Sequence, residues 1–196
     1  MKNKKKIVAL LLVLVLAITS AVGATLAYFT DTEDATNVFT VGNVDITLTE
    51  TEWDAEGVKD APEVYPGEAL AKNPQVHNVG KNPCFVRVKV EGLDSLAPAG
   101  AIVPRGLDTK NWTKVGDYYY FNKVVAAGKD TTELFTHIVM PTNLTNGFDG
   151  KYDVKVTAEA VQAQGARPSF DTVEKMTPAE MADWFTVCQN PANNAQ

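Results

Sequence analysis

Residues 84–91 read CFVRVKVE. Val86, Val88 and Val90 fall on one side of an extended chain, and Arg87, Lys89 and Glu91 on the other. That period of two marks a strand with one face in a core and one toward water. Working outward, the same rhythm returns in VDITL at 44–48, where Val44, Ile46 and Leu48 alternate with Asp45 and Thr47. It returns again in YDVKVTAEAVQA at 152–163, where Tyr152, Val154, Val156, Ala158 and Ala160 share a face. NWTKVGDYYYFNKVV at 111–125 reads as two strands about a Gly116-Asp117 turn. LFTHIVMP at 134–141 is a strand stopped by Pro141, and Gln75–Val79 is a short one. The Asp-, Glu-, Pro- and Gly-rich stretch from Asp54 to Gly67 reads as a loop. So does Leu93 to Asp108, as a long loop or insertion.

The pattern changes near the end. Thr177-Pro178-Ala179-Glu180 is a capping box with proline at the first helical position. Met181, Trp184 and Phe185 then line one helical face, so a short amphipathic helix should lay its aromatics on a sheet. Several short strands and one terminal helix predict an all-β fold: a jelly-roll-like antiparallel β-sandwich with a short C-terminal helix.

The opposite end sets the compartment. Four lysines lie among the first six residues, Ile7 to Ile18 are apolar without interruption, and Thr19 to Ala27 are mostly small. This is the order of a secretory signal peptide, and its apolar run is short of the ~20 residues of a membrane span. Small residues at −3 and −1 allow a cut after Ala24 or after Ala27, and the reading favours Ala27, leaving Tyr28 as the new terminus. The expected layout is a signal-peptide helix over 1–27, an N-terminal segment over 28–43 and a sandwich over 44–188. A helix near 178–187 falls within that sandwich, and a disordered tail covers 189–196. The membrane would be met only through an uncleaved signal peptide. Losing 1–27 moves the formal charge from −6 to −10. Such an acidic balance argues against nucleic acid, whose phosphates require clustered Lys and Arg.

Candidate chemistry is sparse. His77 and His137 are the only histidines, each alone in a predicted strand, without an H-E-x-x-H arrangement. Asp31, Glu33 and Asp34 cluster but fail the calcium-loop pattern. Ser95 and Ser169 sit in no nucleophile elbow. Cys84 and Cys188 form a candidate disulfide in an exported chain, with two separate thiols as the other reading. The aromatic run Tyr118–Phe121 reads as a strand with rings on both faces. No catalytic group, cofactor or metal site is expected.

Four stretches together resemble the TasA/camelysin family, whose members carry a signal peptide of the SipW-dependent type. They are LAYFTDTEDATNVFTVGNVDITLTE (26–50), YPGEALAKNPQVHNVGKNPCFVRVKVE (65–91), GDYYYFNKVVAAGKDTTELFTHIVMP (116–141) and YDVKVTAEAVQAQG (152–165). The resemblance implies a Gram-positive exported protein, secreted to the matrix or cell surface. A SipW-type signal peptidase would cut it between Ala27 and Tyr28. It implies a jelly roll and, as in TasA, a biofilm-matrix structural role with self-association into fibres. There the segment from Tyr28 to Thr40, anchored by Tyr28, Phe29, Val38 and Phe39, would complete a sheet of a neighbouring subunit. The same segment folding back to protect its own sheet edge stays open. Camelysin relatives are described as surface metallopeptidases, which leaves a secreted metallopeptidase as one alternative. A monomeric surface adhesin is the other.

Overall fold

The computed structural model describes residues 44–61, 64–94, 100–144, 153–167 and 173–189. The signal-peptide, cleavage and N-terminal segment expectations lie outside them.

The strands are β1 (Ile46–Thr49), β2 (Ala69–Ala71), β3 (Gln75–Asn78), β4 (Cys84–Glu91), β5 (Val103–Arg105), β6 (Trp112–Val115), β7 (Tyr118–Phe121), β8 (His137–Val139) and β9 (Lys155–Gln162). They form antiparallel sheets in the orders β1-β3, β2-β8-β5 and β6-β7-β4-β9. The four-stranded sheet turns Cys84, Val86 and Val88 of β4 and Val156, Ala158 and Ala160 of β9 inward. Across from them stand Ile46, Leu70, Val76 and Ile138 of the other two sheets, and all are buried in one core. This is the expected all-β sandwich. Val44 and Ile46 are buried while Asp45 and Thr47 are exposed, as the alternation requires.

The second face of the four-stranded sheet departs from expectation. Arg87 is buried, not solvated. The C-terminal helix, Pro178–Gln189, lies over this face and encloses Phe85, Tyr120, Val161, Met181 and Phe185 in a second core. Its start is the predicted capping box: the Thr177 N–H donates to Glu180 Oε2 at 2.8 Å, and the Glu180 N–H to Thr177 Oγ1 at 3.3 Å. Tyr120 meets Phe185 edge-on with centroids 5.7 Å apart. The run Tyr118–Phe121 places Phe121 on Trp112 in the first core and Tyr120 in the second.

Two stretches read as loops hold regular structure. Residues 51–61 are helical, with a π-helical middle at Trp53–Gly57 followed by Val58–Asp60. The stripe they bury is Trp53, Gly57 and Ala61, four residues apart, on an otherwise acidic segment. So narrow a stripe leaves little hydrophobic periodicity. Within 93–108, Ile102 is core and Val103–Arg105 is β5.

The candidate disulfide is not formed. Cys84 points into the sandwich core, whereas Cys188 packs from the helix against the opposite face of the same sheet. The sheet itself separates the two sulfurs.

Candidate functional site

Charged groups inside the fold are held in structural partnerships. Lys72 Nζ donates to Glu50 Oε2 at 2.8 Å, both almost fully removed from water. The ammonium also sits 4.6 Å over the Trp53 ring. The next residue, Asn73, ties three elements together. Its Oδ1 accepts the Glu52 N–H at 2.8 Å, and its Nδ2 donates to Thr51 Oγ1 and Glu133 Oε1. It thereby occupies an orphan donor at the start of the 51–61 helix.

Arg87 is the matching node on the other face. Nε donates to Glu159 Oε2 at 2.8 Å and Nη1 to Tyr120 Oη at 3.2 Å. The guanidinium lies between the Tyr118 ring at 3.9 Å and the Phe185 ring at 4.4 Å. Burial works against its charge, but the bonds to Tyr120 and Glu159 outweigh it and hold its pKa above the usual value. Sequence reading missed both nodes, because a charge at an alternating position looks solvated until a further layer covers it.

The expected candidates do not converge. His77 Nδ1 pairs with Asp130 on the surface at 2.7 Å, and His137 contacts its neighbour Thr136 from a different sheet. Among the described residues no group of three His, Cys, Asp or Glu side chains could hold a metal ion. Burial pushes the Cys84 thiol up to about 12, which disfavours a nucleophilic thiolate. Asp31, Glu33, Asp34, Ser95, Ser169 and the anchors Tyr28, Phe29, Val38 and Phe39 lie outside the described residues, as does Ala27.

What the fold does present is sheet edges, and they differ. The outer edge of β2 is covered by the 51–61 helix, which comes so close that a Cβ on Gly57 would sit 2.4 Å from the Ala71 carbonyl oxygen. β5 is three residues long and centred on Pro104, which has no N–H to offer. β6 is four residues long and exposes Lys114. Short strands, proline and lysine are the ordinary devices against edge-to-edge pairing. β9 is the longest of these edges: it runs eight residues, carries a lysine only at its first position, Lys155, and pairs only with β4 among the described strands.

The fold is a β-sandwich with one sheet backed by a helix, buried structural ion pairs and one edge strand longer than the rest. Residues 2–87, under half of the chain, match the model of a family described as camelysin metallo-endopeptidase. Over that stretch the chain is similar to camelysin metallo-endopeptidases. No curated protein and no solved structure matches it.

Proposed function

We propose that this protein is an exported structural subunit of the cell surface or biofilm matrix, assembling into fibres when its N-terminal segment adds a strand to a neighbour. The observation that carries this reading is the asymmetry of the edges. Among the described strands five of the six edges, β1, β3, β2, β5 and β6, are covered, interrupted or no more than four residues long, and β9 alone runs eight residues. Strand addition draws affinity from backbone hydrogen bonds and specificity from alternating pockets. Contacts of this head-to-tail kind that do not close on themselves yield filaments. A signal peptide on 1–27 would keep the segment from being donated inside the cell.

The test is negative-stain electron microscopy of residues 28–196 beside a form lacking 28–40. Fibres from the first alone are expected. Globular particles from both, concentrated and acidified, would overturn assembly in favour of a monomeric surface protein. The likeness of residues 2–87 to camelysin metallo-endopeptidases keeps a metallo-endopeptidase as the second reading. Stoichiometric zinc in a clean preparation, with chelator-sensitive proteolysis, would establish it.

A further inference from the structure

The C-terminal helix has a second side. Met181 and Phe185 are buried against the sheet, while Glu180, Asp183, Trp184 and Val187, spaced i, i+3, i+4 and i+7, form the neighbouring stripe. Two tight turns stand against that stripe. One follows β9 and is closed by the Ala166 N–H, which donates to the Ala163 carbonyl at 3.1 Å. The other precedes the helix and is closed by the Met176 N–H, which donates to the Val173 carbonyl at 3.1 Å. Between the turns and the stripe lies a groove of about 220 Å³. Pockets for drug-sized ligands run to ~300–1,000 Å³, so this one is scaled to a single side chain or a ligand of that size.

The lining groups differ in what already holds them. Trp184 Nε1 donates to the Gln162 carbonyl at 2.9 Å, which fixes the indole whose ring lines the groove. Ala166, Met176 and Val187 add apolar surface. Arg167 is paired with Glu180, and Glu180 also accepts the Thr177 N–H. Asp183 stands apart: among the described residues no donor or cation reaches its exposed carboxylate.

These commitments sort ligands by charge. An anion meets an Arg167 already neutralised, a Glu180 N–H already given to Thr177 Oγ1, and repulsion from Asp183. A neutral apolar ligand crowds the Asp183 carboxylate without replacing the water it displaces, which costs free energy. A cation on an apolar stem has neither difficulty. Its stem covers Ala166, Met176 and Val187, and its charge faces both Asp183 and the ring of Trp184, the best aromatic partner for a cation. We infer that this groove is a binding site for an alkylammonium group, with Asp183 as counter-ion and Trp184 as platform. A lysine side chain of a polypeptide and a free polyamine share that chemistry. The site stands whether or not the subunit forms fibres.

The chain carries its own reporter. Trp53 and Trp112 are 4 and 3% exposed, so of the three tryptophans Trp184 is the one a ligand can touch. The experiment titrates the mature chain with n-butylammonium, 1-butanol and butyrate, following Trp184 fluorescence and the Trp184 Nε1–H resonance. Saturable change with the ammonium is expected, with a Kd on the order of millimolar for so few contacting atoms. It should be at least ~10-fold tighter than any change with the alcohol, absent with butyrate, and weaker in added salt. Asp183→Asn should erase the preference for charge. Ala166→Leu, which fills the groove, should abolish binding while the helix signal in circular dichroism stays unchanged. Titration with N-acetyl-lysine methylamide and with putrescine separates the two sources, and tighter binding of either supports the site. No saturable change up to ~100 mM ammonium would overturn the assignment. Equal binding of the alcohol, or a charge preference that survives Asp183→Asn, would overturn it too.

Discussion

Lys72 Nζ stands 2.8 Å from Glu50 Oε2, joining the residues that directly follow β2 and β1, with the Trp53 ring beside it. Neither charge reaches water, so contacts within the protein must replace the hydration each has lost. Lys72→Met should destabilise the domain by roughly 3–5 kcal/mol, because it takes the opposite charge away from a buried carboxylate. Lys72→Met/Glu50→Leu should recover most of that loss. Urea unfolding of the mature chain measures both, and a double variant as unstable as the single one would refute the argument.

Arg87→Ala removes the bonds to Glu159 and Tyr120 and the filling between Tyr118 and Phe185. A loss of about 3 kcal/mol is expected, on the scale of a broken buried pair. The C-terminal helix should open first, seen as faster amide exchange over 178–189 while β1 and β3 hold. Arg87→Lys should rescue little, since an ammonium can neither fork between two acceptors nor stack as a plane.

Thr177→Ala should cost about 1 kcal/mol, the scale of a lost N-cap. The cap is also acid-sensitive. The Thr177 backbone N–H and hydroxyl, with Arg167 nearby, hold the Glu180 carboxyl below its ordinary 4.5. A lowered carboxyl pKa stabilises the fold fully above the unfolded value and loses that contribution as pH falls through the folded one. The helix signal in circular dichroism should therefore weaken below about pH 4.5 in the wild type. Glu180→Gln should flatten that dependence.

The separation of Cys84 and Cys188 by a sheet predicts that reductant leaves the Tm of the mature protein unchanged. Cys84 should resist a water-soluble thiol reagent until the domain unfolds, since its thiol is buried and pushed up to about 12. Modification of Cys84 under native conditions at neutral pH would contradict the placement.

The strands that announce themselves in the sequence are those with one wet face or a tight turn. β9 alternates Val156, Ala158 and Ala160 with Lys155, Thr157 and Glu159, and Gly116, at φ 61°, makes the turn between β6 and β7. What stayed hidden depended on partners distant in the chain. Trp53, Gly57 and Ala61 are too few to signal a helix, and they become a stripe only because β2 lies against Gly57. Arg87 reads as solvated until the helix about a hundred residues later covers it. Lys72 and Glu50 carry no local sign of burial, because the partners that hold each of them inside come from elsewhere in the chain.

The contrast between β9 and the blunted β2, β5 and β6 also bears on the shape of anything built from this subunit. If the subunit assembled by strand donation, one arm to give and one border to receive would amount to a valence of two. Under strand donation, growth is then confined to a line, and the product is an unbranched thread. Cross-linking such threads into a gel would fall to side-by-side contacts or to other molecules. Thickening of the matrix would then respond to salt and pH independently of thread length.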